Sequence, residues 1–135
     1  MNPKVLIVDD EVPILNGIKL NLGRTFDLTL VSGGPKAIKA AEEEGPFEAV
    51  VSDMRMPGMT GVEVLAKIKS SQPTIMTILL TGHADFEFGG SQALQSGQIF
   101  RILSKPCPPQ KLKEAIEAAI RAKARKDEES ESSDS

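Results

Sequence analysis

The feature that most constrains the fold is a fivefold alternation of short apolar runs with segments of helical periodicity. The runs are rich in Val, Ile and Leu, which is typical of strands buried in a parallel sheet. Predicted strands cover residues 5–8, 27–31, 48–52, 75–80 and 98–103, and predicted helices cover 13–22, 35–44, 61 onward, 84–96 and 109–126. This order requires right-handed crossovers with helices on both faces. The sequence therefore predicts an α/β fold, (βα)5, with a doubly wound parallel five-stranded sheet.

Local signals mark the helix ends. Pro13 suits the first turn of a helix that Gly23 ends, and Gly45-Pro46 ends the next helix. Thr60-Gly61-Val62-Glu63 has the spacing of a capping box. The helix predicted over residues 84–96 contains Gly89 and Gly90, which weaken it.

Charge divides the chain into two parts. Five of the 19 acidic residues lie in residues 127–135, which contain no base, so the remainder has 16 bases against 14 acids. We expect residues 1–126 to form one folded domain and residues 127–135 to be an acidic disordered tail. A nearly neutral body with aromatic residues at 4% gives no sign of a stacking platform or a basic face for nucleic acid, so no direct nucleic acid contact is expected.

Targeting signals are missing from the sequence pattern. No apolar run approaches the roughly 18 residues of a membrane span, and Met1-Asn2-Pro3-Lys4 has no secretory character. The single cysteine, Cys107, allows no internal disulfide. We therefore expect a cytoplasmic protein without a membrane partner.

Chemically active side chains follow the predicted strands. Asp9 and Asp10 follow the first strand, Asp53 follows the third, Thr81 the fourth, and Lys105 comes shortly after the fifth. Parallel strands place their carboxyl ends at one edge of the sheet, where open α/β sheets bind ligands. The sequence thus predicts that these side chains converge.

This combination of groups suits a metal and a phosphoryl group. Three neighbouring carboxylates repel one another, and a hard cation such as Mg²⁺ relieves the repulsion. Lys105 offers a cation and Thr81 a hydrogen-bond donor, which suit an additional anion such as a phosphoryl group on Asp53. Taken singly, the same residues can be helix caps, turn residues or counter-ions; taken together they favour a site. His83 is interpreted as a loop residue and Cys107 as a packed thiol.

Four motifs carry a family resemblance that spans residues 3–124. They are Val8-Asp9-Asp10-Glu11, Asp53-Met54-Arg55-Met56-Pro57-Gly58, Leu80-Thr81-Gly82-His83 and Lys105-Pro106. Together they resemble the receiver domain of two-component response regulators. The resemblance implies a flavodoxin-like strand order of 2-1-3-4-5.

The same resemblance implies the role of each site residue. Asp53 would accept a phosphoryl group from the phosphohistidine of a sensor kinase, and Thr81 and Lys105 would bind the phosphoryl oxygens. The ligands of Mg²⁺ would be Asp9, Asp10, Asp53 and the backbone carbonyl of Arg55. The peptide bond between Lys105 and Pro106 would be cis.

The resemblance also implies a signalling switch rather than an enzyme, with only self-phosphorylation and slow self-dephosphorylation. Its partners would be a sensor histidine kinase or phosphotransfer protein, and a downstream protein or an output domain outside this chain. A phosphorylation-dependent homodimer is a further candidate. The sequence of residues 81–85 and 100–106 looks like that of receivers that precede cyclic-dinucleotide phosphodiesterase domains.

One position departs from the family pattern. Receivers usually have Tyr or Phe three residues before the lysine, where this chain has Ile102. Phe100 lies two residues earlier, and strand alternation predicts the same face for both side chains. Because isoleucine is stiff at χ1, we expect the signal to leave instead through the loosely held segment around Gly89 and Gly90.

Rival functions of this fold class fit less well. A flavin carrier needs a phosphate cradle where Asp9-Asp10-Glu11 stands, and a P-loop NTPase needs a glycine-rich loop ending in Lys-Ser/Thr. A haloacid-dehalogenase-type phosphatase places an Asp-x-Asp pattern after its first strand. A non-phosphorylated interaction module of the same fold stays open as an alternative, as does, less favourably, an Asp-nucleophile phosphatase.

Overall fold

Five parallel strands form the central sheet. The computed structural model describes the backbone of residues 2–82 and 97–133 and the side chains as far as residue 125. In chain order the strands are β1 (Lys4–Val8), β2 (Asp27–Val31), β3 (Ala49–Asp53), β4 (Arg55–Met56), β5 (Met59–Thr60), β6 (Met76–Thr81) and β7 (Arg101–Ser104). The main sheet has the order β2-β1-β3-β6-β7, with all neighbours parallel. This confirms the predicted order 2-1-3-4-5.

Helices connect the strands of the sheet. Those of the described residues are α1 (Val12–Leu22), α2 (Gly34–Glu44), α3 (Gly61–Ser71) and α4 (Pro109–Ser133). The helix predicted over residues 84–96, with Gly89 and Gly90, lies outside the described residues. Within residues 2–82 and 97–133, none of the helices combines the length and apolarity that a bilayer span requires.

The core has two halves, one on each face of the sheet. Val50 of β3 belongs to the half that includes Leu65 of α3, and Val51 belongs to the half that includes Ile116 of α4. Every residue of β3 is buried. Because successive strand residues point to opposite faces, burial on both sides explains why this run is continuously apolar before it ends on Ser52 and Asp53.

The predicted capping box begins α3. The hydroxyl of Thr60 accepts a hydrogen bond from the Glu63 backbone N–H at 3.2 Å, and the Glu63 carboxylate accepts one from the Thr60 N–H at 3.4 Å. Two N–H groups that a helix start leaves unpaired are thereby satisfied. The cap thus fixes the start of α3 at Gly61, directly after Thr60.

The start of β7 differs from the prediction. The strand begins at Arg101 rather than Gln98, and the residues before it are bonded to Thr77 of β6: the Thr77 hydroxyl donates to the Gln98 carbonyl at 2.6 Å, and the Phe100 N–H donates to the Thr77 carbonyl at 2.8 Å. Phe100 packs with the core half that includes Ile116, whereas Ile102 packs with the half that includes Leu65. The prediction that Phe100 and Ile102 share a face is therefore wrong.

The last helix is longer than the sequence predicts. α4 continues past Lys126 to Ser133, through the segment expected to be a disordered tail. Acidic composition does not itself break a helix, since Glu is a good helix former and neither Gly nor Pro follows Pro109. The boundary between a domain of residues 1–126 and a tail stays a prediction.

Candidate functional site

Three carboxylates meet at the carboxyl edge of the sheet. Asp9 follows β1, Asp53 ends β3, and Asp10 completes a group in which one carboxylate oxygen from each residue lies within 4.8 Å of the others. Asp9 is 1% exposed and Asp53 is 5% exposed, whereas Asp10 is exposed. The carboxylates of Asp9 and Asp53 are thus buried at the sheet edge, and the carboxylate of Asp10 is in contact with solvent.

The Asp9 carboxylate is only partly satisfied. Its Oδ1 accepts a hydrogen bond from the Glu11 N–H at 2.9 Å, but its buried Oδ2 accepts none from the described residues. Burial raises the pKa of Asp9, and the charge of Asp53 raises it further, while the Glu11 N–H and Lys105 oppose the shift. A buried acceptor beside other carboxylates favours a cation at this position.

Lys105 supplies a positive charge to the group. Its Nζ lies 2.7 Å from Asp53 Oδ1 and 3.7 Å from Asp9 Oδ2. Burial alone would lower the pKa of Lys105, but the hydrogen bond to Asp53 and the charges of Asp53, Asp9 and Glu11 outweigh it and raise the pKa above its usual value. The amine is therefore a cation at neutral pH.

The backbone holds Lys105 beside the end of β6. The Lys105 N–H donates to the Thr81 carbonyl at 2.9 Å, and the Lys105–Pro106 peptide bond is cis. The sequence does not predict a second cis bond at Gly45–Pro46. Thr81 is 3% exposed, and its hydroxyl donates to the Gly82 carbonyl at 3.0 Å. The structure thus brings Thr81 and Lys105 to the same sheet edge as the acids.

A small hairpin shapes the entrance of the site. β4 pairs with antiparallel β5 across Pro57 and Gly58, where Gly58 has a φ of +82°. Pro followed by a residue with positive φ is the pattern of a type II turn, which is a signal that the Pro-Gly pair carries. The sequence predicts a chain break here but not the hairpin.

A cavity of about 440 Å³ opens beside this hairpin. It is lined by Asp10, Met54, Arg55, Met56, Pro57 and Thr60. Arg55 and Asp10, which are both exposed, are among the lining residues. The acidic group is therefore accessible from solvent on this side.

The donor set suits a hard divalent cation. The group offers three carboxylates, and one of their buried oxygens, Asp9 Oδ2, accepts no hydrogen bond from the described residues. Mg²⁺ prefers oxygen ligands and retains several waters, which an exposed Asp10 permits. The residues present thus fit Mg²⁺.

A sequence model of the response regulator receiver domain matches residues 5–117. The chain belongs to this family. Receiver domains are regulatory rather than ordinary enzymes, and they generally bind Mg²⁺ through an acidic cluster; this receiver has the acidic group of Asp9, Asp10 and Asp53.

Two curated relatives of this receiver are named as transcriptional regulatory proteins. The chain is 33% identical over 122 residues to the alkaline phosphatase synthesis transcriptional regulatory protein PhoP of Bacillus subtilis, covering 90% of this chain and 50% of PhoP. It is 31% identical over 118 residues to the hydrogenase transcriptional regulatory protein HoxA of Cupriavidus necator, covering 87% of this chain and 24% of HoxA. The chain thus spans half or less of the length of these two relatives.

Three solved structures share the fold over nearly their whole length. A response regulator receiver domain from Clostridium thermocellum superimposes with a TM-score of 0.82 at 33% identity, covering 90% of this chain and 97% of that one. A structure described as adenylate cyclase from Rhodopirellula baltica gives a TM-score of 0.91 at 37% identity, with 97% and 96% covered. The signal receiver domain of an HD domain-containing protein from Pseudomonas fluorescens gives 0.83 at 29%, with 94% and 93% covered.

Neutralising Asp9 should stabilise the metal-free receiver at neutral pH. Because the pKa of Asp9 is raised above 3.8, its contribution to stability is fully present at acidic pH and is lost as the pH rises through the folded-state pKa. We expect Asp9→Asn to increase the free energy of unfolding at pH 7 by about 1 kcal/mol, with a smaller difference at pH 3.

Urea unfolding in EDTA at both pH values measures this difference. The matched control is Asp27→Asn, since Asp27 is exposed at the start of β2. A lower stability of Asp9→Asn than of wild type at pH 7 would contradict the expectation.

Proposed function

We propose that this receiver is a Mg²⁺-dependent phosphorylation switch in which Asp53 accepts a phosphoryl group from the phosphohistidine of a sensor kinase. The observation that carries the proposal is the contact of 2.7 Å between Lys105 Nζ and Asp53 Oδ1, inside a group of three carboxylates. Only Asp53 among these acids is within 3 Å of a cation in the described part of the chain.

The proposed transfer is a substitution at phosphorus. A carboxylate oxygen of Asp53 attacks the phosphorus atom, an O–P bond forms, and the N–P bond breaks with its electron pair passing to the imidazole nitrogen. The Lys105 amine, whose Nζ contacts Asp53 Oδ1 before the transfer, compensates the negative charge of the phosphoryl oxygens. Thr81, whose hydroxyl now donates to the Gly82 carbonyl, becomes a donor to a phosphoryl oxygen once it rotates.

A divalent cation held by Asp9, Asp10, Asp53 and the Arg55 carbonyl would supply charge neutralisation between the acids and the incoming phosphoryl group. Asp9 and Asp10 hold this charge in place, while the exposed side of the group admits the donor. The cavity beside Asp10 and Arg55 supports that direction of approach.

Incubation with a small acyl phosphate and Mg²⁺, followed by intact mass measurement, tests the proposal. We expect the mass of one phosphoryl group, which disappears slowly after the donor is removed. No gain in mass would favour a non-phosphorylated interaction module. Steady release of inorganic phosphate without accumulation on the protein would favour an Asp-nucleophile phosphatase.

We further propose that phosphorylation acts on partners by reordering residues 84–96 against β7 and α4. Ile102, paired in register with Leu79, stands where an aromatic switch residue is usual, and Phe100 packs on the opposite face of the sheet. Neither residue is placed to transmit a movement of Thr81 by an aromatic swing. The neighbouring segment with Gly89 and Gly90 is the remaining candidate for the output.

Hydrogen exchange with and without beryllofluoride and Mg²⁺ should therefore show increased protection in residues 84–103. The matched control is the same comparison in Asp53→Asn, where we expect no change. Altered exchange confined to residues 53–60, with identical exchange over 84–103, would contradict this output surface.

The proposed partners are a sensor histidine kinase or phosphotransfer protein and a downstream protein or output domain. The same output surface is the proposed interface of a phosphorylation-dependent homodimer. A cytoplasmic location follows from such partners. The likeness to the receiver of an HD domain-containing protein supports an output of that kind, and a cyclic-dinucleotide phosphodiesterase domain stays a prediction.

A further inference from the structure

Gly61, the first residue of α3, lies unusually close to the backbone of Asp53. A Cβ atom built on Gly61 would stand 2.3 Å from the Asp53 carbonyl oxygen and 2.7 Å from Leu79 Cδ1. Real Cβ atoms essentially never approach a heavy atom within 3.0 Å, and here one of the neighbours is backbone. The space at this position therefore admits a hydrogen atom but no methyl group.

The same contact links α3 to the end of β3. The Gly61 N–H donates to the Met54 carbonyl at 2.8 Å, and the Met54 N–H donates to the Leu80 carbonyl of β6 at 2.8 Å. The Ser52 hydroxyl donates to the Asp53 carbonyl at 3.0 Å. The peptide unit that follows Asp53 is thus bonded to β6, and the carbonyl of the next peptide unit is bonded to the first N–H of α3.

We propose that Gly61 is a positioning residue for the phosphoacceptor: its missing side chain lets α3 seat against the Asp53 backbone and so sets the carboxylate toward Lys105 and Asp9. This inference rests on the proposed phosphorylation of Asp53. An added methyl group must displace the Asp53 carbonyl or the start of α3 by about 0.7 Å to reach even 3.0 Å. Displacements of this size matter for a nucleophile held 2.7 Å from its lysine.

Two other glycines provide matched variants. Gly34 is the first residue of α2, and a Cβ there would meet only side chains, Val64 Cγ2 at 2.8 Å and Met59 Sδ at 3.0 Å. Gly17 lies within α1 with nothing inside 4 Å of such a Cβ. Gly34→Ala thus reproduces crowding at a helix start, and Gly17→Ala reproduces the change in helix propensity alone.

The rate of phosphorylation is measured over a range of acyl phosphate concentrations in wild type, Gly61→Ala, Gly34→Ala and Gly17→Ala. For Gly61→Ala we expect the maximal rate to fall about tenfold to a hundredfold while the half-saturating donor concentration stays unchanged, because the nucleophile and not the donor site is displaced. We expect its dissociation constant for Mg²⁺, measured by calorimetry, to rise about tenfold. As long as they fold, the two control variants should keep the wild-type maximal rate and the wild-type dissociation constant for Mg²⁺, even if their stability changes.

An unchanged maximal rate in folded Gly61→Ala, or an equal loss in folded Gly34→Ala, would overturn the inference. Failure of wild type to gain phosphoryl mass would instead overturn the proposed phosphorylation itself. If Gly61→Ala does not fold, hydrogen exchange of the wild-type protein tests the proposal instead. Because coupling between two sites is reciprocal, binding of beryllofluoride and Mg²⁺ at Asp53 should slow exchange of the Gly61 amide at least about tenfold. An unchanged Gly61 amide would refute the proposal.

Discussion

Replacing Asp53 with Asn is expected to abolish the phosphoryl mass that wild type gains from an acyl phosphate and Mg²⁺. An amide has no anionic oxygen with which to attack phosphorus, whereas the neighbouring groups keep their places around it. Asp53 is also the carboxylate that Lys105 contacts at 2.7 Å, so no other acid of the group combines nucleophile and cation in this way among the described residues. The expected loss is complete.

The control for this experiment is Asp27→Asn, which removes an exposed acid at the opposite end of a strand and should leave the gain of mass intact. Hydroxylamine should remove the added mass from wild type, since it cleaves acyl phosphates. Asp53→Asn protein that gained the same mass as wild type would show that another residue is the acceptor.

Replacing Asp10 with Asn should weaken Mg²⁺ binding by about tenfold to a hundredfold, because hard cations depend on the charge and number of carboxylate ligands. Asp10 is exposed, so the substitution leaves the buried Asp9 and Asp53 in place and should not change the fold. The chain has neither Trp nor Tyr, which excludes intrinsic Trp or Tyr fluorescence as a readout. Calorimetry or amide chemical shifts during a Mg²⁺ titration give the dissociation constants.

Glu11→Gln is the matched control for Asp10→Asn, because Glu11 is an exposed acid next in sequence but outside the three-carboxylate group. Its Mg²⁺ affinity should stay within about twofold of wild type, as expected for a screened surface charge. Equal affinities of wild type and Asp10→Asn would exclude Asp10 from the metal site.

Strand and helix identities were predictable because they depend on local patterns. The run before Asp53 is apolar at successive positions, which distinguishes a strand buried on both faces, and the Thr60–Glu63 spacing predicts the helix start that the structure has. Strand polarity then follows from the alternation, so the convergence of Asp9, Asp53 and Lys105 at one edge was predictable as well.

The error in the predicted face of Phe100 arose where a local pattern competes with contacts distant in sequence. Regular alternation places Phe100 and Ile102 on one face, but the chain before β7 is bonded to Thr77, which donates to the Gln98 carbonyl and accepts from the Phe100 N–H, and Phe100 packs on the other face. The end of the last helix was also not predictable from composition: the helix that Ile116 anchors in the core continues past the predicted end at Lys126 to Ser133, while the boundary between domain and tail stays a prediction. A segment with good helix formers can extend a helix already nucleated by packing.

The sequence by itself determined the fold class, the strand order through its family resemblance, and the set of side chains at the carboxyl edge, because periodicity and polarity are properties of contiguous residues. Only the tertiary structure decided that Asp9 Oδ2 lies buried without a hydrogen bond from the described residues, that Lys105 meets Asp53 more closely than Asp9, and that Gly61 touches the Asp53 carbonyl. These facts are distances of a few ångströms between separate segments, set by how helices and strands pack, and no one-dimensional pattern encodes them.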